Sequence, residues 1–164
     1  MTNVKQDKDR AAATPPGRGL PRLDQHICFA LYSASGVVTQ LYRPLLEPLG
    51  LTYPQYLVML SVWEKSPRTV GEISAALGLE PATLTPVLKR LEANGLLTRR
   101  RDAADERRVL IQPTAEGAAL RARAEEVPYR MLCQLPLDGD DITQLRTILG
   151  KIVKAGRALD QVDT

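Results

Sequence analysis

The stretch that decides the fold is LTPVLKRLEANGLLTRRRDAADERRVLIQPTAEG, residues 84–117. Its first part repeats apolar residues at three- and four-residue spacing and stops at Asn94-Gly95, which predicts an amphipathic helix. The part that follows alternates apolar and polar residues on both sides of a charged tip, DAADER. That pattern predicts a β-hairpin whose loop is longer than a tight turn.

Upstream, the apolar spacing predicts three more helices, over roughly 24–46, 53–64 and 70–78. Asp24 is the predicted N-cap of the first helix, and Pro44 is predicted to kink or end it. Thr69 caps the third helix and Gly78 closes it, and Pro81 begins the helix that leads into the hairpin. A short helix, a turn with a glycine and a longer helix match the spacing of a helix-turn-helix.

Downstream, Thr114 is predicted to begin a helix over about 114–134 that Pro136 ends, and Asp138 opens a last helix to about 160. The predicted order is α-α-α-α-β-β-α-α, a mainly α winged helix-turn-helix. Such an order contains no sheet large enough for an α/β enzyme. Residues 1–22 are rich in Pro, Gly and charge, and we expect a flexible N-terminal arm.

Composition narrows the class of protein. The chain has 164 residues and a net charge of only +3, but five of its arginines fall within RRRDAADERR, residues 99–108. No apolar run approaches the roughly 18 residues of a membrane span, and the N-terminus is polar, so we expect a cytoplasmic protein with no membrane partner. The single histidine, His26, has no clustered ligands, which predicts no metal site. No nucleotide-binding or hydrolase motif is present, so we expect no cofactor and no enzymatic activity.

The helix at 81–94 is predicted to lie in the major groove of DNA, with the hairpin as its wing. Short hydroxyl side chains early in this helix suit base edges or phosphates, and the basic pair one turn on suits phosphates. Asp105 is expected to brace the tip so that an arginine reaches the narrow minor groove. A merely solvated hairpin is the alternative. The predicted DNA-contacting residues are Thr83, Thr85, Lys89, Arg90, Arg99, Asp105 and Arg107.

The segment 84–117 resembles the signature of the MarR family of winged-helix repressors. The matching features are the recognition helix, its Leu-x-Arg, the Asp-x-Arg of the wing and the closing Thr-x-x-Gly. The resemblance spans roughly 24–155 and implies a homodimer that reads a pseudo-palindromic operator, with terminal helices interdigitating between subunits. It implies one folded chain over 23–160, in which 52–113 bind DNA while 23–50 and 114–160 form the dimer.

Cys28 is the residue whose predicted position most strongly indicates a reactive side chain. With Asp24 as cap it lies early in its helix, where the helix dipole favours a thiolate. Tyr32, four residues on, shares its face. Tyr42 lies on that face too, but it is too distant within one straight helix, so the partner subunit or another element would have to bring it close. An inert buried thiol beside ordinary aromatic residues is the alternative.

The motifs ICFALY, YRPLL and LTYPQYLVMLSVWE resemble one MarR branch, the organic hydroperoxide resistance regulators. The resemblance implies that Cys28 is the peroxide-reactive thiol, that Tyr32 and Tyr42 hydrogen-bond to it, and that Tyr53 lines the pocket or relays the change. Some members use a second cysteine near the C-terminal end to form an intersubunit disulfide. Cys133 is either that cysteine or a spectator.

The sequence therefore predicts a redox-sensing repressor that binds operator DNA when reduced and leaves it when an organic hydroperoxide oxidises Cys28. One alternative is a MarR-type repressor released by a small phenolic or lipophilic ligand, in which the cysteine is incidental. A second alternative, from another class, is a thiol peroxidase that turns over with a reductant.

Overall fold

The computed structural model describes residues 20–103, 105 and 107–160, without the side chains of 157, 159 and 160. The chain divides into two compact units, Met1–Thr39 and Gln40–Thr164, and each is described by itself. Of the predicted N-terminal arm, 1–22, all but residues 20–22 lie outside the described residues.

Helix α1 (Ile27–Leu46) begins in the first unit, and its start differs from the prediction. A 3₁₀ turn over Leu23–Gln25 precedes it, and His26 has an extended backbone. Asp24 lies inside that turn and pairs with Arg22, Nε to Oδ1 3.4 Å. The prediction that Asp24 caps α1 is wrong, because the chain leaves the 3₁₀ turn and extends before the α-helix begins.

Pro44 lies inside α1 without ending it, since the helix continues to Leu46 and then tightens into a 3₁₀ turn over Glu47–Leu49. Gly50 closes that turn with a φ of 67°, a left-handed conformation that favours glycine. Helix α2 (Tyr53–Glu64) has the predicted bounds.

The helix-turn-helix consists of α3 (Val70–Leu77) and α4 (Pro81–Ala93). Thr69 caps α3 by accepting a hydrogen bond from the backbone N–H of Glu72 at 3.1 Å. Gly78 ends it with a φ of 64°, as predicted. One face of each helix packs against α2, of which half the residues are buried. The core residues here are Tyr56, Val58, Met59, Val62, Ile73, Leu84, Leu88 and Leu91.

The wing is a hairpin of β2 (Leu97–Arg101) and β3 (Val109–Pro113), which confirms the predicted strands. A third strand, β1 (Arg68–Thr69), was not predicted and pairs antiparallel with β3, giving the order β1-β3-β2. The predicted element order therefore lacked one strand. Two residues are too few to produce a recognisable alternation, and only their pairing with Leu110 and Ile111 makes them a strand.

The predicted helix over 114–134 is two helices, α5 (Ala115–Ala124) and α6 (Val127–Leu132). Pro128 explains the break, because it has no N–H to donate to the carbonyl of Ala124. Helix α7 (Gly139–Asp160) follows, and Asp138 caps it as predicted, accepting from the N–H groups of Asp140 and Asp141, each at 2.9 Å. Among the described residues, every helix is too short or too polar to span a lipid bilayer.

Helix α5 is fixed to the winged-helix core by specific contacts. Trp63 Nε1 donates to the carbonyl of Gly117 at 2.8 Å, and Arg121 donates to the carbonyl of Trp63 at 3.3 Å. Gly117 lies so close to the Leu96 carbonyl that a Cβ would overlap it. The C-terminal helices therefore begin at a tightly fitted joint with α2 and the start of β2.

Candidate functional site

The exposed face of α4 carries the side chains predicted to contact DNA. Thr83, Lys89 and Arg90 are exposed, opposite the buried leucines of the helix. Thr85 is half-buried, and its hydroxyl donates to the Pro81 carbonyl at 2.8 Å. Its hydroxyl proton is therefore engaged, leaving Thr83 as the more available hydroxyl at the start of the helix.

The wing tip has the predicted brace. The Asp105 carboxylate accepts from the backbone N–H of Arg107 at 3.1 Å and from its Nε at 3.2 Å. The Arg107 side chain is nevertheless 92% exposed. The tip thus presents an oriented guanidinium to the surroundings, and its contact with DNA stays a prediction.

Arg99 is placed differently from the other wing arginines. Its Nη1 lies 3.6 Å from Glu92 Oε2, and the side chain is only 27% exposed. This ion pair links β2 to the end of α4, and the contact of Arg99 with DNA stays a prediction. Arg100 and Arg101 are exposed cations of the same strand that the sequence reasoning did not single out. The RRR run itself was the signal that could have identified them.

Cys28 is an exposed free thiol at the second position of α1. Tyr32, one turn later, is 79% exposed. Within the described part of this unit, the structure contains no hydrogen bond between the two side chains. The two residues share a stretch of open helix surface, and the predicted partnership of Tyr32 with the thiol stays a prediction.

Tyr42 and Tyr53 are brought together in the second unit, with ring centroids 4.7 Å apart. Tyr56, which the sequence analysis did not single out, adds a third ring 5.8 Å from Tyr42. Tyr56 is 1% exposed, and its hydroxyl has no hydrogen-bond partner among the described residues. Burial, with the neighbouring phenols Tyr42 and Tyr53, raises the pKa of Tyr56 to about 12. Its spacing of three residues from Tyr53 on α2 was the available signal.

Burial also raises the pKa of Tyr42, with a further contribution from Tyr53, and burial raises that of Tyr53. All three phenols carry their protons well into the alkaline range, so each has a hydroxyl proton available for donation. A cluster of protonated phenols suits the binding of an anionic or oxygen-rich group.

Cys133 is the second exposed free thiol, at the C-terminal end of α6. Tyr129 lies one helical turn earlier, and its interaction with the Cys133 side chain, by hydrogen bonding first and charge second, raises the pKa of Tyr129. The sequence reasoning missed Tyr129, although the spacing of four residues was visible. Cys28 and Cys133 belong to different units. No group of three or more potential metal ligands occurs among the described residues.

Comparison with known proteins places these features in context. A family model described as "Transcriptional regulator SarA/Rot" matches residues 40–122. The organic hydroperoxide resistance transcriptional regulator of Bacillus subtilis (strain 168) is 44% identical over 128 residues, which cover 78% of this chain and 87% of that protein.

Two similar solved structures are of AbfR, a protein of Staphylococcus epidermidis. The overoxidized protein bound to DNA is 36% identical with a TM-score of 0.67, covering 82% of this chain and 94% of that one. The reduced protein bound to DNA is 34% identical with a TM-score of 0.68, covering 84% and 94%.

Proposed function

The chain belongs to the SarA/Rot/MarR-type family of winged-helix transcriptional regulators, and from that premise we propose that it is a repressor controlled by the oxidation of Cys28. The reduced protein binds operator DNA, and an organic hydroperoxide releases it. The observation that carries the proposal is the exposed thiol of Cys28 at the start of α1, in a chain 44% identical to an organic hydroperoxide resistance regulator.

The chemistry begins with attack of the Cys28 thiolate on the terminal oxygen of the hydroperoxide. The O–O bond breaks, the sulfur becomes a sulfenic acid, and the leaving alkoxide takes a proton to become an alcohol. The thiol of Cys133 of the partner subunit then attacks the sulfenic sulfur, forming a disulfide and releasing water. Exposure of both cysteines supports this order of events, because each sulfur must be reached by its reactant.

A homodimer is part of the proposal. Helices α1 and α7 leave large apolar side chains exposed, and those of α7 recur at helical spacing as a stripe. Such contiguous apolar surface is typical of an interface. A dimer would place its two recognition helices about 34–36 Å apart, one turn of DNA, which suits a pseudo-palindromic operator. The exposed residues are Ile27, Phe29, Tyr32 and Val37 on α1, and Leu145, Ile148, Ile152 and Val153 on α7.

We propose that the disulfide, rather than added oxygen alone, releases DNA. AbfR is described as bound to DNA in both its reduced and its overoxidized form. A covalent link between subunits constrains the terminal helices and hence the spacing of the recognition helices. A change that disfavours the bound spacing by about 3 kcal/mol would weaken binding more than a hundredfold.

The proposed protein acts in the cytoplasm and needs no metal or cofactor. It reacts once per oxidation and is not an enzyme. A peroxide-consumption assay with a thiol reductant distinguishes it from a thiol peroxidase, which would consume many equivalents per subunit.

A gel shift tests the proposal. Reduced wild-type protein should bind operator DNA, cumene hydroperoxide should release it, and dithiothreitol should restore binding. Cys28→Ser should bind DNA and ignore the peroxide. If Cys28→Ser still leaves the DNA on peroxide treatment, thiol sensing is wrong. Release of both proteins by a phenolic or lipophilic compound, without oxidation, would favour the ligand-controlled alternative.

A further inference from the structure

The loop that joins the two strands of the wing contains a second pair of acid and arginine, besides Asp105 and Arg107. Arg108 Nη1 lies 3.8 Å from Asp102 Oδ2. Asp102 is the first residue after β2 and Arg108 is the last residue before β3, so this pair spans the base of the loop. Neither the predicted DNA contacts nor the cysteine chemistry gives this pair a role.

Backbone hydrogen bonds fasten the same two residues. The N–H of Asp102 donates to the carbonyl of Arg108 at 2.9 Å, and the N–H of Arg108 donates to the carbonyl of Asp105 at 2.9 Å. The Asp105 carboxylate in turn accepts from the backbone N–H and the Nε of Arg107. A continuous series of contacts therefore leads from Asp102, through Arg108 and Asp105, to the exposed guanidinium of Arg107.

The burial of Asp102 distinguishes its pair from an ordinary surface ion pair. Exposed ion pairs contribute little to stability, because water competes for both partners. The Asp102 side chain is only 18% exposed, however. A carboxylate that is shielded from water needs polar partners, since an unpaired one is costly to bury. The contacts of Asp102 therefore favour the closed form of the loop over an open one.

Arg108 is also close enough to Glu72, in the first turn of α3, to influence its ionisation. Hydrogen bonds from Thr69 lower the pKa of Glu72, and the charges of Lys65 and Arg108 lower it further. The charge of Arg108 is thus balanced within the chain by two carboxylates. Such a guanidinium suits a structural role, whereas Arg107 is the arginine that the loop leaves exposed.

We propose that Asp102 is a positioning residue for DNA binding: by holding Arg108, it keeps the loop in the conformation in which Arg107 faces the minor groove. A guanidinium on a loop that is ordered before binding loses less conformational entropy when it enters the groove. The narrow minor groove of A·T-rich DNA attracts such a group. The inference rests on the proposed function only for DNA binding by the wing, and it is independent of peroxide sensing.

The variant Asp102→Asn gives a test in which the sign of the effect is decisive. Removal of a carboxylate from a DNA-binding surface favours binding to the negatively charged backbone on electrostatic grounds alone. If Asp102 positions Arg107, the same change should instead weaken operator binding by the reduced protein about fivefold. Fluorescence anisotropy of labelled operator at one fixed salt concentration measures the affinity.

Glu80→Gln is the matched control, because it removes one negative charge from an exposed residue directly before the recognition helix α4. It should bind operator as tightly as wild type or more tightly. Equal circular dichroism and thermal midpoints would establish that both variants are folded.

A double-mutant comparison tests whether Asp102 acts through Arg107. In a protein that already carries Arg107→Ala, the positioning residue has no guanidinium to orient. Asp102→Asn should therefore cause no further loss of operator affinity in that protein. A purely structural effect on the wing would cause a similar loss in both backgrounds.

A measurement without DNA makes the test independent of affinity. The Nε–H of Arg107 donates to Asp105, so its ¹⁵N relaxation in the free, reduced wild-type protein should be that of an ordered group. In Asp102→Asn the same group should become mobile.

Four results would overturn the proposal: operator binding by Asp102→Asn that equals or exceeds that of wild type, a comparable loss in Glu80→Gln, an equal loss in the Arg107→Ala background, or an unchanged Arg107 Nε–H in the free variant. A failure of peroxide to release DNA would count against thiol sensing and leave this role of Asp102 unaffected.

Discussion

Replacing Tyr56 by Phe should stabilise the protein, although Tyr56 is among the most buried residues of the core. The ring is 1% exposed and its hydroxyl has no partner among the described residues. An unsatisfied buried polar group costs roughly 1–3 kcal/mol, and Phe keeps the ring while removing that group. We expect Tyr56→Phe to raise the free energy of unfolding by about 1 kcal/mol at pH 7.

The raised pKa of Tyr56 leads to a second prediction, for the stability of the protein at alkaline pH. Its pKa is about 12 in the folded protein against 10.0 for an ordinary tyrosine. Between pH 10 and 12 the unfolded chain has lost the proton while the folded protein keeps it, so unfolding is favoured as pH rises. The contribution of Tyr56 to stability is constant below about pH 10 and falls by about 1.4 kcal/mol per pH unit between about pH 10 and 12.

Urea unfolding of the reduced protein, at one fixed protein concentration, measures both the gain at pH 7 and the loss of stability in alkali. At pH 7 the midpoint of Tyr56→Phe should lie above that of wild type, and the gap should widen between pH 10 and 11. Tyr32→Phe is the matched control, because Tyr32 is 79% exposed and its change should leave stability within about 0.5 kcal/mol. A loss of more than 1 kcal/mol at pH 7 would mean that the hydroxyl is hydrogen-bonded and would refute the reasoning.

Three further experiments test the joint of α5, the wing and the second cysteine. Gly117→Ala should destabilise the protein by about 1–3 kcal/mol in thermal unfolding, since its Cβ would overlap the Leu96 carbonyl. Gly150→Ala, which meets open space within α7, should not destabilise it. Arg107→Ala should weaken operator binding by about 1–3 kcal/mol in fluorescence anisotropy, and an unchanged affinity would make the wing tip a solvated hairpin. Mass spectrometry of peroxide-treated, non-reduced protein should identify a Cys28–Cys133 peptide, and mixed disulfides of Cys28 alone would make Cys133 a spectator.

Local signals in the sequence were enough for most of the fold. The bounds of α2, the cap at Thr69, the left-handed Gly78 and the two wing strands each follow from the chemistry of a few adjacent residues. The misses have different causes. Strand β1 exists only through its pairing with β3, and the break before α6 depends on the missing N–H of Pro128 within an otherwise helical pattern.

The candidate site was predictable to a similar degree. The brace of Asp105 on Arg107 is a contact between near neighbours, and the structure contains it. The burial of Tyr56 beside Tyr42, and the ion pair of Arg99 with Glu92, depend on how elements pack against one another. Periodicity assigns a residue to a face of its helix or strand, but it does not say which side chain of another element meets it.

The most direct test of the account follows operator occupancy and the oxidation state of Cys28 in the same samples during a titration with cumene hydroperoxide. Anisotropy of labelled operator gives the first quantity, and mass spectrometry after alkylation gives the second. We expect DNA to be lost in proportion to the Cys28 that has entered a disulfide, and about one equivalent of peroxide per subunit to give full release. DNA released while Cys28 is still reduced, or retained after Cys28 has entered a disulfide, would contradict it.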